Sequence, residues 1–238
     1  MQIESLRGFV LRAVPLSTSQ RILTVFTESC GKRQGIFRVS KRNPLAYTSP
    51  MSLLQFHLRG KEHQQLPLLE DLSLERHFFN LAGDYLGLTL LHHWADLVNF
   101  SSADAHEEPY TFRLLNHCLS HLDKQRPNLF PMQDLYFQCW LLHFAGVLPR
   151  PKEGKSIQVP ASSKSQPRDL EQTYSAMDHA VLNRVFQQNL GDFTAVSLEY
   201  GVLAKSLELI EGMWLHFLGR PVKTHGLLQN QFKERGLL

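Results

Sequence analysis

The opening seventy-odd residues repeat one pattern, and it limits the fold more than any other feature. Short runs of β-branched, leucine and aromatic residues are cut by turn signals about every ten positions. LRGFVLRAV (residues 6–14) ends at Pro15. RILTVFT (21–27) and GIFRV (35–39) flank Gly31, with Ser29 just before it, which reads as a hairpin turn. MSLLQFHLRG (51–60) and QQLPLLEDL (64–72) follow, the second broken by Pro67, a residue confined to edges or breaks of sheets. Five such strands suggest a small barrel or sandwich, and a five-stranded OB-type barrel is the economical choice.

Charge is concentrated in the same segment. CGKRQGIFRVSKR (30–42) holds Lys32, Arg33, Arg38, Lys41 and Arg42 and no carboxylate. Residues 1–64 carry ten Lys or Arg, including Arg7, Arg12, Arg21, Arg59 and Lys61, against Glu4, Glu28 and Glu62, a net of +7 in a chain whose total is +3. Strand alternation puts Phe37 and Val39 on one face, and Lys32, Gln34, Arg38, Ser40 and Arg42 on the other, broken only by Ile36. Such segregation speaks of a polyanionic partner. A solvated face that only keeps the domain soluble is the plainer alternative. Phe9, Phe26, Gln34, Phe37 and Phe56 interleave with the cations. Most of those rings belong to a core, and one or two exposed ones would suffice to stack on bases, at ~1–3 kcal/mol each.

Near Leu74 the texture changes. Residues 78–100 run without a turn cluster, with Leu81, Tyr85, Leu88, Leu91 and Ala95 at helical spacing. Residues 110–123 and 132–148 read as two more helices. Residues 149–169, with four prolines and four serines, form an irregular insert, and helices resume from about Leu170. Leu203, Leu207, Ile210, Trp214 and Phe217 make one apolar stripe on a last helix, ended by Gly219 and Pro221. The expected architecture is α+β: the barrel over residues 1–73, then an all-helical domain over residues 74–238. No apolar run approaches the ~18–20 residues of a membrane span, and MQIESLRG lacks the pattern of a secretory signal. Three widely spaced cysteines, Cys30, Cys118 and Cys139, fit free thiols in a reducing cytoplasm.

Enzymatic signatures are missing. KEGKS (152–156) has Pro149 where a phosphate-cradling loop needs its first glycine. No nucleophile lies in a recognisable elbow. His117 and His121, like Cys139 and His143, lie four apart on expected helices, a spacing that suits zinc. Their leucine and tryptophan neighbours make ordinary core packing the stronger reading, so no metal or cofactor is expected.

Taken in order, GFVLRAVPLSTSQRILTVFTESCGKRQGIFRVSKR, LLHFAGVLP, an irregular insert and WLHFLGRPVKTHGLL resemble the RecO family of bacterial recombination mediators. The resemblance covers most of the chain, and RILTVFTESCGK and LGRPVKT are its most specific pieces. It implies an N-terminal OB fold that binds single- and double-stranded DNA, a helical domain, and no covalent catalysis. It further implies strand annealing and, with RecR, help for RecA recombinase in replacing single-strand binding protein, whose acidic C-terminal tail such proteins contact. Arg21, Lys32, Lys41 and Arg42 match basic positions of the family's β domain. Arg33, Arg38, Arg59 and Lys61 complete the candidate DNA-binding set. Arg220 and Lys223 match the closing motif and are candidates for the acidic tail. A cytoplasmic, nucleoid-associated location would follow. Many members carry a four-cysteine zinc cluster in the insert; here residues 149–178 hold no cysteine, so zinc is not inherited. A protein adaptor binding acidic peptides and an OB-fold RNA-binding factor remain the alternatives.

Overall fold

Inward and outward side chains alternate along five strands: β1 (Ser5–Pro15), β2 (Gln20–Thr27), β3 (Gly31–Arg38), β4 (Leu53–Arg59) and β5 (Leu68–Arg76). The computed structural model describes residues 5–42, 44–60, 66–150 and 179–238. The strands close into a barrel in the order β1-β2-β3-β5-β4, as the OB-type expectation requires. Neighbours are antiparallel except β3 and β5, which meet in parallel at Ile36 and Leu68. Leu6, Val10, Leu23, Val25, Phe37, Leu54, Phe56, Leu69 and Leu72 fill the interior. Each such side chain contributes about 1.5–3 kcal/mol by leaving water.

Of three register shifts among the described residues of the barrel, two decide which side chains face inward. In β1 the register with β2 passes from Val10↔Val25 to Arg12↔Thr24, leaving Leu11 as an extra, bulged residue. In β5, Asp71 sits at φ 52°, and the register with β4 shifts between Gln55 and His57. Leu69 and Leu72 consequently both face inward although they are three apart. β5 was expected over residues 64–72 but begins directly after Pro67 and runs to Arg76. The Pro67 carbonyl accepts from the Ile36 N–H at 2.8 Å, so the proline stands at the strand's entrance.

The β2–β3 turn is where the sequence put it. Gly31 has φ 64°, the left-handed region that costs other L-residues about 1–2 kcal/mol. The Thr27 hydroxyl donates to the Gly31 carbonyl at 2.7 Å and accepts from the Cys30 N–H at 3.1 Å. A Cβ on Gly31 would overlap the carbonyl of His106.

The chain divides into two compact units, Met1–Phe112 and Arg113–Leu238. Helices α1 (Phe79–Ala82) and α2 (Tyr85–Ser101) lie in the first. The single helix expected over residues 78–100 is broken at Gly83-Asp84. Asp84 starts α2 as its N-cap, accepting from the Gly87 N–H at 3.1 Å. Helix α3 (Pro109–Leu122) begins in the first unit and ends in the second.

In the second unit α4 (Phe130–Phe144) is buried along nearly all its length. It packs against α5 (His179–Gln187), α6 (Leu190–Ala195) and α7 (Tyr200–Leu218). The expected stripe holds on α7: Leu203, Leu207, Ile210 and Trp214 are buried, while Phe217 at its end is 40% exposed. Gly219 ends α7 at φ 65°. α7 does not close the chain, because α8 (Lys223–Glu234) follows. Gly219 and Pro221 end α7 as expected, but the chain becomes helical again two residues after the proline, at Lys223. The insert at 149–169 and a helical restart at Leu170 fall outside the described residues, except Pro149 and Arg150. No described helix is long and apolar enough to cross a membrane.

Gly219 has open space where a Cβ would go, and Gly31 does not. Gly219→Ala should therefore cost about 1 kcal/mol and Gly31→Ala clearly more than 2 kcal/mol. Thermal unfolding of the two variants beside the parent measures the difference; equal Tm losses would count against this packing.

Candidate nucleic-acid interface

Cross-strand register sorts the barrel's outer face into rows. Phe9 and Phe26 are opposite each other, as are Arg12 and Thr24, and Val14 and Ile22. β3 continues these rows with Lys32 beside Phe26, Gln34 beside Thr24, Ile36 beside Ile22, and Arg38 beside Gln20. One end of the face is covered. Phe112 packs on Phe9 and Phe26 with ring centroids 5.2 and 6.2 Å apart. The opposite end, from the Arg12 row to the Arg38 row, carries exposed or half-buried side chains apart from Thr24.

Under that cover lies Lys32. Its ammonium donates to the Asn99 and Ser102 carbonyls at 2.8 and 2.9 Å and lies 3.2 Å from the Asp104 carboxylate, with the side chain only 13% exposed. All three of its donors are used, so Lys32 has none left for a phosphate. Its assignment as a DNA contact is corrected: it ties β3 to the C-terminal end of α2, where a cation suits the helix dipole.

Other cations are partly spent as well. Arg7 pairs with Glu75 at 2.6 Å and Glu28 at 3.3 Å. Arg59 pairs with Glu70 at 3.3 Å, but this exposed pair is worth only ~0–1 kcal/mol and holds the guanidinium weakly. Arg21 is half-buried and donates to the Ser17 and Gln20 carbonyls at 3.1 and 3.2 Å, contacts that leave its charge uncancelled. Arg33 is opposite Val25, an inward position, and so lies off the outer face. Arg38, Lys41 and Arg42 are exposed. Arg12, Arg33, Arg38, Lys41 and Arg42 make no ion pair among the described residues. Lys61 lies outside the described residues.

The interleaved rings are core. Phe9, Phe26 and Phe37 are 0% exposed and Phe56 is 1%, so none is available for base stacking. Val14, Ile22 and Ile36 form an aliphatic row in the open part of the face.

In the second unit Arg220 and Lys223 are both exposed in the α7–α8 turn. Lys223 is the first residue of α8, and so lies at a helix start and not beyond the last helix. His121 contacts Gln133 through Nδ1 at 3.1 Å, and His143 Nδ1 is 2.9 Å from the Leu148 carbonyl. Cys118 and Cys139 are fully buried, and desolvation pushes both thiols well up. Among the described residues no three His, Cys, Asp or Glu side chains are grouped to hold a metal ion, and His117, His121, Cys139 and His143 do not form such a group.

Comparison with known families bears on the whole of this arrangement. The segment that holds the barrel, residues 1–78, matches a family model described as Recombination protein O N terminal. Residues 82–225 match one described as Recombination protein O C terminal. The chain belongs to the recombination protein O family. The DNA repair protein RecO of Desulfatibacillum aliphaticivorans is 27% identical over 146 residues, covering 59% of this chain and 55% of that protein. Its counterpart in Koribacter versatilis (strain Ellin345) is 25% identical over 145 residues, 60% and 58% of the two chains. That of Anaeromyxobacter dehalogenans (strain 2CP-1 / ATCC BAA-258) is 30% identical over 153 residues, 63% and 59%. The chain thus spans less than two thirds of the length of these curated relatives.

The sequence counts Arg12 among the barrel's cations without placing it on a face, and the Leu11 bulge turns it to the outer one. The placement of Lys32 gives a separable outcome. Lys32→Ala should cost about 2 kcal/mol of stability, the scale of a charged hydrogen bond, and leave the salt dependence of oligonucleotide binding nearly unchanged. Chemical unfolding and a salt titration of the same variant test both halves. The Arg7 guanidinium holds the Glu75 carboxyl below its usual range. A lowered folded value means the stabilisation is complete above about pH 4.5 and is lost as pH falls through the lower folded value. Glu75→Gln should accordingly show a shallower loss of Tm on acidification than the parent.

Proposed function

We propose that this chain is a DNA-binding recombination mediator, acting in recombinational DNA repair without covalent chemistry. The observation that carries the reading is the set of exposed cations, Arg38, Lys41 and Arg42, unpaired among the described residues at the far end of β3 in a RecO-family barrel. Arg21, Arg33, Arg59 and Lys61 stay as further candidates outside this exposed, unpaired set, and Lys32 is withdrawn. The barrel region, residues 1–73, is the nucleic-acid-binding part of this reading. The buried rings favour a mode in which phosphates are neutralised and bases are not stacked.

Such a surface lowers the repulsion between two strands, from which annealing of complementary single strands follows. Helping to load RecA recombinase onto DNA covered by single-strand binding protein is the role that fits annealing in this family. Arg220 and Lys223 are the proposed receivers of that protein's acidic tail. Lys223 adds positive charge at the start of α8, where the helix dipole already favours an anion, and an acidic peptide would offset both. A RecR-like partner and a nucleoid-associated, cytoplasmic location belong to the same reading. A purely adaptor role would instead rest on Arg220 and Lys223 alone. RNA offers the same phosphates, and matched DNA and RNA strands titrated side by side distinguish them.

With about five phosphate contacts, binding of single strands should fall with salt at a log–log slope of about −3 to −4. Changing Arg38, Lys41 and Arg42 together to Ala should flatten that slope by about two units, and annealing of DNA coated with single-strand binding protein should slow. An unchanged slope would remove the hairpin end from the site. Arg220→Ala with Lys223→Ala should weaken acidic-peptide binding and leave the slope intact.

A further inference from the structure

Alternation along β1 assigns Arg12 to the barrel interior. Leu6 and Val10 both face the core, and a strand side chain two positions after Val10 should do the same. The bulge at Leu11 reverses this. Arg12 is exposed opposite Thr24, while Ala13, opposite Leu23, packs against the core in its place. A one-residue register slip moves every following side chain to the other face.

The bulge is locked from the β4 side. The Val10 N–H donates to the Ser52 carbonyl at 2.9 Å, and the Met51 N–H donates to the Val10 carbonyl at 2.8 Å. Met51 holds φ 61° to make that contact, a conformation unusual for a residue other than glycine. The side chain of Met51 is 0% exposed. The position of Arg12 is therefore fixed by backbone bonds and a buried anchor, and does not depend on a flexible loop.

Arg12 makes no ion pair among the described residues. Arg38 shares its face, two strands across and four register positions along. At ~4.8 Å per strand and ~3.4 Å per residue, their Cα atoms are roughly 17 Å apart. Between them runs the row of Val14, Ile22 and Ile36. We infer that Arg12 is a phosphate contact delivered by the β1 bulge, and that a nucleic-acid strand crosses the barrel obliquely from Arg12, over this aliphatic row, to Arg38. The inference rests on the proposed nucleic-acid reading and names its path and ligand chemistry: a phosphodiester backbone at both ends, with sugars and base edges over the aliphatic row. Such a site is tolerant of sequence because phosphate contacts carry no base information and an aliphatic row offers no hydrogen bond to a base edge.

The test uses the full chain and fluorescent oligo(dT) and oligo(dA) of equal length. Arg12→Gln should flatten the salt slope by about 0.7 for single strands, one contact's worth, with Tm unchanged, and Arg12→Lys should restore it. Ile22→Glu, which puts a carboxylate in mid-path, should weaken binding of both oligomers at least fivefold while the protein stays folded. The parent should bind the two oligomers within a factor of about three. If Arg12→Gln leaves the slope intact while the triple Arg38, Lys41, Arg42 variant flattens it, the path is overturned and the proposed function stands. If neither variant moves the slope, both fall. Normal binding by Ile22→Glu overturns the crossing, and strong discrimination between the oligomers overturns a sequence-tolerant path.

Discussion

A five-stranded barrel closes only if its first strand pairs on both sides, and β1 here must serve β2 along its length and β4 over its first half. A regular strand cannot curve enough to do so, and the extra residue at Leu11 provides the bend. Much else follows. The bend sets which β1 side chains fill the interior, and it sets where the outer face changes from a packed surface to an open one. The second bulge, at Asp71, makes the matching correction on β5 and lets Leu69 and Leu72 enter the same core.

Positive charge in the barrel divides between folding and exposure. Lys32 caps the end of α2, and its backbone carbonyl accepts from the Ala105 N–H at 3.0 Å, so β3 and the following loop are joined at two levels. Arg7 joins β1 to β5 through Glu75. These cations hold the covered end of the barrel together. Those at the uncovered end have no such duty, and their mutual repulsion is a cost that a bound polyanion would relieve.

Much of this was legible in the sequence. Turn signals and alternation gave five strands and the Gly31 hairpin, because local backbone chemistry determines both. Helical texture after Leu74 and the α7 stripe were equally plain. Bulges were not, since each depends on a partner strand whose register no local pattern reveals, and the face that Arg12 occupies was hidden for that reason. Lys32 was misread because its partners are carbonyls some seventy residues away, invisible to any count of charges. α8 went unnoticed because Gly219 and Pro221 resemble a final stop, while its own buried apolar positions, Leu228 and Phe232, are few.

Burial of two of the three cysteines has a practical consequence. Cys118 and Cys139 stay protonated and shielded inside the helical unit, whereas the thiolate is the form that attacks electrophiles. Cys30, half-exposed in the hairpin turn, is left as the natural address for a maleimide dye. A fluorophore there would report on the barrel without any engineering of the native chain.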